Sequence, residues 1–168
     1  MTNNPRKVFI VHGRNVVLRD HMIAFLRVLG LSPISWGAAA RLTGTGAPYI
    51  GEALDTAFHE AQVVIVLLTG DDEVKLESEN LDNDILYQPR PNVLFEAGMA
   101  FTRFPSRTIL VEFENVRPCS VLEGRYRIRL SNDLSVRKSL IRTLENLECK
   151  VVWPSDEVIR NTADFSVT

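Results

Sequence analysis

The stretch Pro91-Asn92-Val93-Leu94-Phe95-Glu96-Ala97-Gly98-Met99-Ala100 reads as the start of a helix with a carboxylate close to its first turn. It follows a long acidic segment and precedes a Val/Ile-rich run. In an α/β chain that position is the mouth of the sheet, where such folds keep their chemistry. Pro91 presets φ, and Asn92 is a good N-cap. At about 100° per residue, Val93, Leu94, Ala97, Gly98, Phe101 and Phe104 share one apolar arc, and Glu96 falls at its rim. Taken alone, this carboxylate has two readings. It is a solvated glutamate favoured by the helix dipole, or it is the reactive group of a site.

Other chemistries lack the spacing they need. His12, His21 and His59 are scattered, and Cys119 and Cys149 stand apart, so no metal site is expected. Gly44-Thr45-Gly46 lacks the Gly-Lys-Ser/Thr that completes a phosphate loop. The acids between Thr69 and Arg90 (Asp71, Asp72, Glu73, Glu77, Glu79, Asp82, Asp84) lack the alternating pattern of a calcium loop and read as a solvated segment. A phosphorylated receiver domain would need acids after the first strand, where Gly13-Arg14-Asn15 stand instead.

The elements that must position Glu96 follow from periodicity. Lys7 to His12 is a buried strand closed by Gly13. Asn15 to Leu29 is a helix with Leu18, Met22, Phe25, Leu26 and Leu29 on one face, stopped by Gly30. Leu31 to Trp36 reads as a second strand, at a sheet edge because of Pro33. Gly37 to Ala47 reads as a mobile loop. Tyr49 to Glu60 is a helix, and Gln62 to Leu68 is apolar enough to be a central strand. Thr69 to Arg90 is too long for a simple connection. Strands at Arg107 to Phe113 and Tyr126 to Leu130, a helix at Leu134 to Leu147, and a short last strand at Cys149 to Val152 complete the series. The alternation predicts a flavodoxin-like three-layer α/β/α fold with a five-stranded parallel sheet, order 2-1-3-4-5. The expected domain spans residues 1–152, with residues 153–168 a tail or linker toward a further domain.

With 168 residues, 45% hydrophobic, 24% charged and a net charge of −2, the chain has the composition of one soluble domain. The absence of a basic block argues against nucleic acid as partner. The apolar run Val63 to Leu68 is too short to span a bilayer. The opening residues do not form a signal peptide, so the cytoplasm is the expected location.

Four blocks in order carry a family likeness. They are Val8-Phe9-Ile10-Val11-His12-Gly13-Arg14-Asn15, Phe25-Leu26-Arg27-Val28-Leu29-Gly30-Leu31, Val64-Ile65-Val66-Leu67-Leu68-Thr69-Gly70-Asp71-Asp72 and Arg90-Pro91-Asn92-Val93-Leu94-Phe95-Glu96-Ala97-Gly98. Together they resemble the bacterial TIR-like (predicted nucleotide-binding) domain that serves as effector in anti-phage STING-like and cyclic-nucleotide signalling proteins. The likeness covers roughly residues 7–152. It implies an NAD+ glycohydrolase that cleaves the nicotinamide–ribose bond when oligomerised by an upstream signal. It also implies Glu96 as the catalytic glutamate, self-association through TIR domains, and a fused or associated cyclic-nucleotide sensor. NAD+ is then the substrate and no cofactor is needed. One carboxylate suffices, because nicotinamide leaves a cationic ring as a neutral base and an anion stabilises the oxocarbenium-like transition state.

Around such a site, Gly13 would allow close backbone approach, and Arg14 of the Gly13-Arg14-Asn15 turn could grip a phosphate. Trp36 could stack on a nicotinamide or adenine ring. Asn92 would be a helix cap first and a pocket residue second. Each also has a plain structural reading, as turn, surface or packing residue. The chain differs from eukaryotic-type TIR sequences, which tend to carry Trp-Cys a few residues before the glutamate, where Asn92-Val93 stand here. The segment Glu96-Ala97-Gly98-Met99-Ala100 is also similar to the glutamate region of nucleoside deoxyribosyltransferases, where the glutamate is a nucleophile on a deoxynucleoside. A non-enzymatic self-association module is the third possibility.

Overall fold

The computed structural model describes residues 4–44, 46, 50–74, 86–113, 116–117, 122 and 124–166. The strands are β1 (Asn4–Val11), β2 (Ser32–Ile34), β3 (Ala61–Leu68), β4 (Asp72–Val74), β5 (Leu86–Gln88), β6 (Thr108–Glu112) and β7 (Arg127–Arg129). The helices are α1 (Val16–Val28), α2 (Trp36–Leu42), α3 (Ile50–Glu60), α4 (Pro91–Arg103), α5 (Leu134–Asn146) and α6 (Asp156–Asn161).

Five strands form one parallel sheet in the order β2-β1-β3-β6-β7. Counted within the sheet this is the expected 2-1-3-4-5, with the direction of winding reversing between β1 and β3. β3 sits at the centre and is buried almost throughout, as its unbroken apolar run requires. Pro33 lies in β2, where its missing N–H costs no ladder bond on the open edge. At the other edge, buried Glu112 of β6 is held by Arg127 and Arg129 of β7, each at 3.0 Å.

Alternation along the strands divides the core into two layers. Val8, Ile10, Val63, Ile65, Leu67 and Val111 face α1 and α5, meeting Leu18, Met22, Phe25 and Leu26 on α1 and Leu140, Ile141 and Leu144 on α5. Phe9, Val11, Val64, Val66, Leu68 and Leu110 face the other way, onto Ala39 of α2, Leu54, Ala57 and Phe58 of α3, and Val93, Ala97 and Ala100 of α4. Phe9 and Phe58 meet edge to face, with ring centroids 5.7 Å apart.

The structure corrects several expectations. The second strand stops at Ile34, and Trp36 opens α2 instead of ending a strand. Ser35 is the N-cap, its hydroxyl accepting from the Ala38 amide at 3.2 Å. The alanines at 38–40 favour a helix, and Ala39 is fully buried. Most of the predicted Gly37 to Ala47 loop is therefore helical; residues 45 and 47–49 lie outside the described residues. The acidic segment begins and ends in a hairpin, with β4 antiparallel to β5. Glu77, Glu79, Asp82 and Asp84 lie outside the described residues, as does Cys119. No strand forms at Cys149 to Val152, because its amides donate to separate segments, Lys150 to Pro5 and Val152 to Leu29, rather than to one ladder.

The segment read as a tail after residue 152 is packed against the domain. It carries α6, and Ile159 and Phe165 enter the core. Arg137 of α5, itself 1% exposed, donates to the carbonyls of Ile159, Arg160, Thr162 and Ala163 and to Asn132 Oδ1. A guanidinium binding backbone carbonyls leaves no hydrophobic pattern in the sequence, which is why periodicity missed this contact.

Candidate functional site

The site is built on the entry to α4. Proline forces the residue before it out of the helical region, so Arg90 (ψ 147°) is the N-cap and Pro91 the first helical residue. Asn92 is therefore not the cap; it is an exposed helical residue, and α4 has no side-chain cap bond. Val93, Ala97 and Ala100, spaced four and three apart, turn toward the sheet. Gly98, expected on the apolar arc, is exposed instead. Glu96 falls in the second turn, and the first turn holds no acid. The dipole fades beyond the first turn, so it does not account for this glutamate.

Glu96 lies in an open cavity of about 740 Å³ beside the carboxyl end of β1. Among the described residues, five elements line it: Phe9, Ile10 and His12 at β1, Arg19 on α1, Trp36 on α2, Gly51 on α3, and Asn92, Phe95 and Glu96 on α4. The volume is in the range of small-molecule sites. Burial raises the Glu96 pKa from 4.5 to about 7, because a half-desolvated carboxylate resists charging. Trp36 is 40% exposed and Phe95 65% exposed, both large apolar surfaces open at the cavity. The His12 Nδ1 lies 2.9 Å from the Gly13 carbonyl oxygen; since that oxygen only accepts, Nδ1 carries the proton in the neutral ring. Arg19 donates through Nε to Asp20 at 2.9 Å. Two smaller cavities, of about 370 and 330 Å³, have no carboxylate or imidazole among their described lining residues.

The sequence candidates divide. Glu96, Trp36 and Asn92 line the cavity together. Gly13, Arg14 and Asn15 are not among its lining residues. The close approach at Gly13 is to the chain itself: a Cβ there would stand 1.7 Å from Asp71 Oδ2. Asp71 accepts from the Asn15 amide at 3.1 Å and from the Thr69 hydroxyl at 2.8 Å. The Asn15 side chain caps α1, accepting from the Leu18 amide at 3.0 Å. Arg14 is exposed on that turn. His12, a softer candidate from its place at the end of the first strand, is on the lining. Sequence reasoning missed Arg19, Gly51 and Phe95; Phe95 adjoins the glutamate, so position alone could have signalled it, while Arg19 and Gly51 carried no signal. Among the described residues, no three His, Cys, Asp or Glu side chains come together as a metal set.

A parallel 2-1-3-4-5 sheet with a carboxylate-bearing cavity at the strand ends defines a TIR-like α/β domain. Residues 7–132 match the family model described as CAP12/Pycsar effector protein, TIR domain, and the chain belongs to that family. It is also 31% identical over 110 residues to Protein tirC of Dictyostelium discoideum, a match covering 64% of this chain and 53% of the relative. The chain thus spans about half the length of that curated relative. These likenesses support a TIR-type signalling or effector role. Among the described residues, no helix is long and apolar enough to cross a membrane.

Proposed function

We propose that this domain is an NAD+ glycohydrolase, acting in the cytoplasm as a TIR-type effector when an upstream second-messenger sensor brings copies together in anti-phage defence. The observation that carries the reading is Glu96, a half-buried carboxylate that shares a cavity of ligand size with the exposed aromatic surfaces of Trp36 and Phe95. Membership of an effector TIR family supports the setting.

The substrate carries a fixed positive charge on its nicotinamide ring. Ionised Glu96 attracts that charge, and a partly desolvated site makes the attraction stronger than water would. The bond between C1′ of the ribose and the ring nitrogen then breaks, and its electron pair leaves with neutral nicotinamide. Positive charge moves onto the ribose, where the same carboxylate stabilises it. Water adds to C1′ and gives up its proton, completing hydrolysis to ADP-ribose. Trp36 and Phe95 supply flat apolar surface for the departing ring, and Asn92 supplies an amide for hydrogen bonding at the rim.

The test is release of nicotinamide from NAD+ by the chain crowded on a surface, beside its Glu96→Gln variant. The variant should lose about 100-fold or more of the activity, the scale on which removing one charge-stabilising group acts. An assembled parent protein that leaves NAD+ intact would end this reading. Base exchange between deoxynucleosides would then point to a transferase, and its absence to a self-association module.

A further inference from the structure

The cavity has two walls of opposite charge. Glu96 comes from α4, which packs on one face of the sheet, and Arg19 comes from α1, which packs on the other. The cavity therefore runs across the carboxyl edge of the sheet, with His12 at the end of β1 between the two. Arg19 is the one arginine or lysine among the described lining residues. We propose that Arg19 holds the diphosphate of the substrate, so that the cavity selects a dinucleotide over a nucleoside. Sequence reasoning gave a phosphate grip to Arg14, and Arg14 is not on the lining.

The guanidinium's present partner is easily exchanged. Nε and Nη2 of Arg19 both reach a single oxygen, Oδ1 of Asp20, at 2.9 and 2.8 Å. This is not the two-oxygen fork that makes arginine–oxyanion pairs strong. Neighbouring residues on a helix do not face each other, so Arg19 bends to make the contact. The Asp20 side chain is 60% exposed, and ion pairs of that kind hold weakly. A diphosphate offers several oxygens at once and carries more charge than Asp20. With its diphosphate at Arg19, a dinucleotide can lay its cationic ring against Glu96, and the two opposed charges fix which end faces the carboxylate. The identity of the cationic end rests on the glycohydrolase reading; the oxyanion preference of Arg19 does not.

Binding and turnover separate the two ideas. ADP-ribose and nicotinamide riboside are titrated calorimetrically into the parent chain and into Arg19→Gln, Arg19→Lys and Arg27→Gln. The last removes the same charge from the exposed far end of α1. Arg19→Gln should weaken ADP-ribose about 10-fold or more, the scale of one charged hydrogen-bonded contact. Nicotinamide riboside, which has no phosphate, should change less than about twofold. Arg19→Lys should fall between, and Arg27→Gln should match the parent. In turnover of NAD+, the Arg19→Gln loss should appear in KM. Unchanged ADP-ribose affinity in Arg19→Gln overturns the proposal, as does an equal loss for both ligands, or a parent chain that binds no ADP-ribose. Arg19-dependent ADP-ribose binding without nicotinamide release supports it and removes the glycohydrolase reading instead.

Discussion

On the proposed function, Glu96 ties activity and stability to the same pH window, with opposite signs. Its pKa of about 7 in the folded chain means that about half the carboxylates are ionised near neutrality. If the anion is the working form, kcat/KM for NAD+ should rise with pH to a plateau above about 7. A bound cationic ring favours the ionised form, so the midpoint for kcat should lie below that for kcat/KM; equal midpoints would remove the ring–carboxylate contact. Stability runs the other way. Between pH 4.5 and about 7 the native chain binds more protons at this group than the unfolded chain does, so this group's contribution to stability falls as pH rises. Glu96→Gln lacks that penalty, and its Tm relative to the parent should climb across the window and level off above it.

At the scale of elements, the sheet was legible because its signal is redundant. Val8 to Val11, Val63 to Leu68 and Ile109 to Val111 each alternate between two buried faces, so the three inner strands repeat one message. The face of α1 was legible for the same reason. Short elements fixed by single hydrogen bonds were not. Ser35 ends one element and begins another through one hydroxyl, while the glycines at 37, 44 and 46 suggested a loop. Asn92 has the side chain of a cap, but Pro91 is the first member of the helix, which moves the cap to Arg90. The candidate glutamate was legible from its place after the third strand; apart from Asn92 and Phe95 on its own helix, its described partners come from four other elements and have no common spacing. Ser35→Ala removes the α2 cap and should cost about 1 kcal/mol, concentrated in that helix. Amide exchange should quicken over residues 36–42, and KM for NAD+ should rise more than kcat falls, because Trp36 is the first residue the cap positions.

At the scale of the whole molecule, the boundary suggested by sequence pattern and the boundary of the packed unit differ. A chain cut after Val152 keeps every sheet strand yet loses the four carbonyls that receive Arg137, along with the Phe165 ring against which that guanidinium packs at 4.9 Å. Among its described hydrogen-bond partners, only Asn132 remains. The cut also takes the buried Ile159 and Phe165 out of the core, so the shortened chain should lose about 3 kcal/mol or more, read from its urea midpoint. A midpoint equal to the full chain's would show that α6 adds nothing to the fold.

Asp71 acts as a strut between the two walls of the cavity. Its carboxylate takes the Asn15 amide at the entry to α1, and its own amide donates to Gln88 at 3.1 Å, just before the entry to α4. Arg19 lies four residues beyond the first of these points, and Glu96 eight residues beyond the second. One aspartate thus ties together the segments that lead into the two helices bearing the cavity's charged residues. A substitution at Asp71 would therefore loosen the entries of both helices at once, from a residue that is absent from the cavity's described lining.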